Sequence, residues 1–179
     1  PSEATASRSE YPSHLIGESA SMREVDTYIG QVASTDSIVL ITGETGTGKE
    51  LVAALIHMRS PRAGKPFVSI NCAAIPESLL ESELFGYERG AFTGAHVQKE
   101  GALKLANEGT AFFDEIGDMS PEGQSKFLRA IESKEIRRLG GKRSIPLDLR
   151  VIAATNQDLE RRVAEGKFRK DLYYRLNVA

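Results

Sequence analysis

Gly43-Glu44-Thr45-Gly46-Thr47-Gly48-Lys49 sets three glycines within six residues and ends on a lysine. Glycine lets successive backbone N–H groups turn inward and approach phosphate oxygens. Lys49 can then reach the terminal phosphates, and Glu50 follows it. A glycine-rich turn would read the same way in isolation, so the flanks decide. An apolar run, Ser37 to Thr42, comes before, and a helical pattern, Glu50 to Ile56, comes after. Strand, glycine loop, lysine and helix form the phosphate-cradling P-loop in its proper setting. The start of that helix adds positive partial charge at the same point.

Asp114 and Glu115 end the apolar run Thr110-Ala111-Phe112-Phe113. Acids there lie at the carboxyl edge of a sheet, where open α/β sheets bind ligands. Asp114 can hold Mg²⁺ through its water shell, and Glu115 can polarise an attacking water. The plainer reading is that both acids cap the helix that follows. Asn156 ends a later apolar run, Arg150 to Thr155, and can orient the water or sense a γ-phosphate. Asn71 ends Phe67 to Ile70 and can hold Glu115 when the site is idle. Either asparagine also suits a simple turn. Gly86 to Ala95 breaks a helical pattern with small residues around Phe92. A pure linker does not need that ring; a loop presenting Phe92 and Thr93 to a partner does. Arg169 and Arg175 lie far from the P-loop in sequence, and by residue type alone they read as a solvated helical face.

The elements that must position these groups alternate. Ser21 is expected to cap a helix with Met22, Val25, Ile29 and Val32 on one face. Strands are expected at 37–42, 66–71, 110–115 and 150–156. Helices are expected after the P-loop, over 76–85, over 101–107, from Ser120-Pro121 with Phe127, Leu128 and Ile131 inward, and near 158–164 and 170–176. Glu135 to Leu139 reads as short and extended before a Gly140-Gly141 turn. Strands alternating with helices imply a parallel sheet covered on both faces. Residues 1–13 are polar and aperiodic, and read as a linker or tail; 14–179 read as one folded unit. The chain stops at Leu176-Asn177-Val178-Ala179 with no turn signal, the pattern expected of a piece of a longer protein.

Composition narrows the class. The 179 residues are 40% hydrophobic and 27% charged, ordinary for a globular domain. A net charge of −2 argues against a generally basic nucleic-acid surface. Cys72 is the only cysteine, so no internal disulfide forms, and a reducing compartment, the cytoplasm, fits best. His14, His57 and His96 are scattered, without metal-ligand spacing. No apolar run reaches membrane-spanning length and no signal peptide is visible.

Gly43–Glu50, Glu83-Leu84-Phe85-Gly86, Gly90-Ala91-Phe92-Thr93-Gly94-Ala95, Phe113-Asp114-Glu115-Ile116 and Ala153-Ala154-Thr155-Asn156 occur in this order. Together they resemble the AAA+ domain of bacterial enhancer-binding proteins, the NtrC-like activators of sigma-54 RNA polymerase, some of them two-component regulators. The match runs from about Leu15 to Val178. The resemblance implies an α/β P-loop NTPase core, with a parallel sheet flanked by helices on both faces and the C-terminal helical lid missing. It implies ATP and Mg²⁺ as cofactors and a hexameric ring with nucleotide held between subunits. Nucleotide contacts then fall on Gly43, Glu44, Thr45, Gly46, Thr47, Gly48, Lys49, Glu50 and Asp114, with Ile16 and Gly17 at the start of the domain. Asn71 matches the residue restraining the catalytic glutamate, and Asn156 matches sensor I. Arg169 and Arg175 fall on arginine-finger positions that act on a neighbour's ATP. Gly90, Ala91, Phe92, Thr93, Gly94 and Ala95 form the tip of a loop touching sigma-54, with Gly140 to Arg143 as a second pore-side loop. The implied partners are sigma-54, RNA polymerase and further copies of the chain; promoter DNA is engaged only indirectly, and no membrane is involved.

Glu50 departs from a generic P-loop, which has a hydroxyl ligand for Mg²⁺ at that position. The family commonly carries Glu there, so metal binding leans on Asp114, phosphates and water. Two other readings stay open: a nucleotide-gated sigma-54 docking module without appreciable turnover, and another AAA+ remodelling ATPase.

Overall fold

The computed structural model describes residues 19–177. Four parallel strands form the central sheet: β1 (Val39–Thr42), β2 (Phe67–Asn71), β5 (Thr110–Asp114) and β8 (Arg150–Thr155), in the order β1-β8-β5-β2. Thr42 pairs with Thr155, Phe113 with Ala153, and Asn71 with Asp114. That register brings the four carboxyl ends to one edge.

The sheet is buried on both faces, and strand alternation sorts its side chains. Phe112, Ile152 and Ala154 face a core completed by Ile29, Ala53, Leu55 and Ile56. Those partners lie on α1 (Ala20–Ala33) and α2 (Lys49–Met58). Ala111, Phe113, Val151 and Ala153 face the opposite way, into a larger core. That core is covered by α3 (Glu77–Phe85), α4 (Ala102–Leu105), α5 (Pro121–Ser133), α6 (Leu159–Ala164) and α7 (Lys170–Leu176). Phe113 meets Phe127 of α5 with ring centroids 4.4 Å apart.

Several local expectations shift. Ser19, not Ser21, caps α1: its backbone is extended and its Oγ accepts from the Met22 N–H at 3.3 Å, while Ser21 lies within the first turn. The helix expected over 101–107 is one turn, Ala102–Leu105. Ile131 is only half-buried, beside fully buried Phe127 and Leu128. Glu115 is outside the strand, in the left-handed region at φ 51° and ψ 50°. A non-glycine residue there is strained, and such strain gathers at functional sites.

Residues 86–100 leave the domain as a closed excursion. β3 (Gly86–Tyr87) and β4 (Lys99–Glu100) pair antiparallel at its base. Gly86, at φ 74°, admits no side chain: an added Cβ would lie 2.3 Å from the Lys99 carbonyl oxygen. The second small ribbon, β6 (Glu135–Ile136) with β7 (Ile145–Pro146), leads to the Gly140-Gly141 turn.

Candidate functional site

The glycine loop joins the end of β1 to the start of α2. Gly46 and Gly48 have φ of 81° and 86°, and a Cβ on either would meet nothing within 4 Å, so the loop is an open cradle. The Gly43 N–H donates to the Thr155 carbonyl at 3.2 Å, tying the loop to β8. Thr47 donates its hydroxyl to the Glu44 carbonyl at 2.8 Å. Lys49 is 7% exposed. Its ammonium donates to the carbonyls of Gly43 at 2.9 Å and Glu44 at 3.0 Å and lies 3.7 Å from Glu115 Oε1.

Asn156 brings the separate motifs together. Its backbone N–H donates to Glu115 Oε2 at 3.1 Å, and its side-chain amide donates to Thr45 Oγ1 at 2.8 Å. One residue thus spans the acidic strand end and the glycine loop. Asp114 Oδ1 accepts from the Glu115 N–H at 3.0 Å. Burial, and then the neighbouring Glu115 charge, push the Asp114 carboxyl above its ordinary range; Glu50 adds to this, while the Glu115 N–H and Lys49 oppose it. A crowded carboxylate of this kind is relieved by a cation.

The donor set suits Mg²⁺. Asp114 offers a hard oxygen in a negative field. Among the described residues no group of three or more His, Cys, Asp or Glu forms a complete cage. Mg²⁺ keeps several waters and is held by one or two carboxylates plus substrate phosphates.

Asn71 does not reach Glu115 in this conformation. Its Oδ1 accepts from the N–H groups of Ala73 at 3.0 Å and Ala74 at 3.1 Å, an Asx-type turn that closes the chain after β2. Neither acid caps the next helix either. The 3₁₀ turn Ile116–Asp118 comes first, and Ser120 caps α5 by accepting from the Gly123 N–H. The Arg169 guanidinium lies against its own Asp171, with contacts of 2.9 and 2.7 Å. Arg175 lines a cavity of about 300 Å³ with Asp36, Arg62 and Asp148, at the amino edge of the sheet. Ile16 and Gly17 lie outside the described residues, as do residues 1–13.

Gly90 to Ala95 close into a compact turn. The Gly90 N–H donates to the Ala95 carbonyl at 2.8 Å and the Ala95 N–H to the Phe92 carbonyl at 3.0 Å. Phe92 and Thr93 are exposed, whereas Ala95 is buried. Gly140, at φ 71°, packs against Ala91, bringing the second loop onto the first. Arg138 donates to Glu88 Oε1 at 2.9 Å and Glu100 Oε1 at 3.4 Å across the same junction.

Two contacts carried no sequence signal. Fully buried Gln124 donates to the carbonyls of Met119 and Lys167, and its Oε1 accepts the Arg169 N–H at 2.8 Å. Tyr87 packs edge-on to Phe92, with centroids 4.9 Å apart. An isolated Gln on a helix or Tyr beside a glycine belongs to no motif.

Comparison with known proteins supplies the family. The model of the sigma-54 interaction domain matches residues 15–179. The chain belongs to the sigma-54 interaction domain family. That family is the AAA+ P-loop NTPase domain of sigma-54-dependent transcriptional activators. The chain is 55% identical over 164 residues to a Nif-specific regulatory protein of Azotobacter vinelandii, covering 92% of this chain and 31% of that protein. It is 52% identical over 165 residues to the regulatory protein AtoC of Escherichia coli, covering 92% and 36%. The crystal structure of NtrX from Brucella abortus in complex with ATP superposes with a TM-score of 0.86 at 43% identity, covering 93% of this chain and 36% of that one. The chain therefore spans about a third of the length of these relatives. The expected fold class, a P-loop NTPase sheet flanked by helices, is the one found.

Proposed function

We propose that this sigma-54 interaction domain binds and hydrolyses ATP and uses the cycle to remodel the sigma-54 RNA polymerase closed complex. The carrying observation is the Asn156 bridge, which links Glu115 to Thr45 of the glycine loop. It sets a base, a polar sensor and a phosphate cradle within one hydrogen-bonded cluster. The ATP complex of the Brucella abortus relative supports the choice of nucleotide.

Each residue has a distinct task. Backbone N–H groups of Gly43 to Gly48 receive the phosphates, and Lys49 exchanges its two loop carbonyls for phosphate oxygens. Asp114 would hold Mg²⁺ through water, with Glu50 contributing negative charge nearby. A cation held there would supply positive charge against the phosphates. Glu115 takes the proton of the attacking water, and Asn156 orients that water and fixes the carboxylate. A turn of Asn71 out of its contacts with Ala73 and Ala74 would let it restrain Glu115 in the idle state.

Arg169 and Arg175 complete a neighbouring subunit's site, in a ring that we take to be a hexamer. Arg175 lines the edge opposite the glycine loop, and the Arg169 ion pair with Asp171 is exposed and exchangeable. Gly90 to Ala95 contact sigma-54, with Phe92 and Thr93 as the touching side chains and the Gly140 turn beneath them. Promoter DNA is reached through the polymerase and through parts of the full-length activator. Such a factor works in the cytoplasm; no described helix is long and apolar enough to cross a membrane.

The test is Glu115→Gln in the full-length activator. The amide is nearly isosteric and cannot act as a base. ATP binding should persist, phosphate release should be lost, and sigma-54 should be captured with ATP alone. Wild-type turnover by this variant removes Glu115 from the mechanism.

A further inference from the structure

Phe92 is the exposed ring at the loop tip, yet it is not free. It is 46% exposed, and it meets Tyr87 edge-on at 4.9 Å and 66°. The two rings have unequal freedom. Tyr87 is pinned from both sides: it pairs with Lys99 in β4 and bridges Leu139 on the other flank. The Glu88 N–H donates to the Leu139 carbonyl at 3.0 Å, and the Leu139 N–H donates to the Gly86 carbonyl at 2.9 Å. Gly86 beneath it has no room to adjust. Phe92, by contrast, sits between Gly90 and Gly94, at φ 80° and 98°, with nothing within 4 Å of an added Cβ at either. One ring sits on paired strands; the other sits on a turn closed by the Gly90 N–H to Ala95 carbonyl bond, flanked by two positive-φ glycines whose backbone freedom would let that turn reopen.

We propose that Tyr87 is a positioning residue that latches Phe92 against the domain and competes with sigma-54 for that ring. This rests on the reading that Phe92 contacts sigma-54. Phe92 cannot present its full surface to a partner while its edge contact with Tyr87 lasts. The latch therefore lowers partner affinity until the loop extends. Val97, 68% exposed and three residues beyond Gly94, lies outside the latch and gives the loop an apolar surface. An aromatic pair of this geometry changes a two-state population by about two- to tenfold. That bias suits a latch: it holds most loops down, and a nucleotide-driven rearrangement overcomes it.

The test measures sigma-54 binding to the full-length activator without nucleotide, by fluorescence anisotropy. Tyr87→Ala should bind about two- to tenfold tighter than wild type, and Tyr87→Phe, which keeps the ring edge, should bind as wild type. Tyr87→Ala combined with Phe92→Ala should gain nothing over Phe92→Ala. A ¹⁹F label on the Phe92 ring should shift toward its solvent value in Tyr87→Ala and Tyr87→Leu, which reports the latch even if one variant folds poorly. Wild-type affinity and an unmoved ¹⁹F signal in Tyr87→Ala, with binding still lost in Phe92→Ala, overturn the latch and leave the proposed function standing. Weaker binding by Tyr87→Ala makes Tyr87 a support for the loop and also overturns the latch. Unchanged binding by Phe92→Ala overturns both.

Discussion

Lys49→Ala should weaken ATP binding on the order of 100-fold while leaving the fold in place. The ammonium is 7% exposed and already bonds two loop carbonyls, Gly43 at 2.9 Å and Glu44 at 3.0 Å. Bound ATP replaces those neutral acceptors with phosphate oxygens, so the gain is the difference between the two sets. Both sets use the charged ammonium, so each contact gains only by trading a neutral acceptor for a charged one, on the order of 1–2 kcal/mol. Taking about 1.5 kcal/mol for each of two exchanged contacts gives about 3 kcal/mol, roughly two decades in Kd. The free protein loses less, because the Glu44 carbonyl lies on an exposed residue and can turn to water, and Glu115 keeps the Asn156 N–H. Isothermal calorimetry measures the affinity, and circular dichroism melting confirms the fold. A Kd within threefold of wild type, with an intact melt, would show that this loop is not the phosphate site.

Arg169→Ala and Arg175→Ala should each abolish turnover in the full-length activator and recover part of it when mixed with Lys49→Ala subunits, since a mixed interface joins an intact glycine loop to an intact arginine. An arginine supplied to a phosphoryl-transfer site in trans is worth orders of magnitude in rate. If no mixing ratio restores phosphate release from rings that still assemble, the in-trans assignment fails. His57 supplies a pH test. It is buried, its Nδ1 lies 2.9 Å from the Thr110 hydroxyl, and burial holds its pKa below the ordinary 6.5. Above that value both folded and unfolded chains carry a neutral ring. As pH falls through about 6.5 the unfolded chain takes up a proton first, so stability declines until the folded pKa is passed. The drop in melting temperature between pH 7 and pH 5 should shrink in His57→Gln; an equal drop in both proteins would discount the histidine.

The glycine loop between β1 and α2 and the acidic end of β5 were legible because their signals are local. Gly46 and Gly48 need positive φ, and an acid after four buried residues marks a strand terminus wherever it occurs. The fold class was legible for the same reason: strands and helices alternate along the chain. What escaped depends on tertiary juxtaposition. The order β1-β8-β5-β2 sets Asn156 across from Thr45, a contact spanning 111 residues with no local trace. Asn71 had two partners of comparable worth, and the two N–H groups just ahead of it won over a carboxylate across the site. Ser19 and Ser21 both suit a cap, and only the extended backbone at Ser19 decides between them. Gln124 and Tyr87 act through groups brought close by folding, so their roles follow from distances alone.

The central claim couples a loop to an ATPase site it does not touch, and a paired assay on one preparation tests it. Phosphate release and promoter opening are measured together for the full-length activator carrying Phe92→Ala or Thr93→Ala. The account predicts hydrolysis near the wild-type rate, with sigma-54 binding and open-complex formation lost. A parallel fall in both activities would make the loop a structural support for the nucleotide site, and wild-type promoter opening would contradict the activator reading outright.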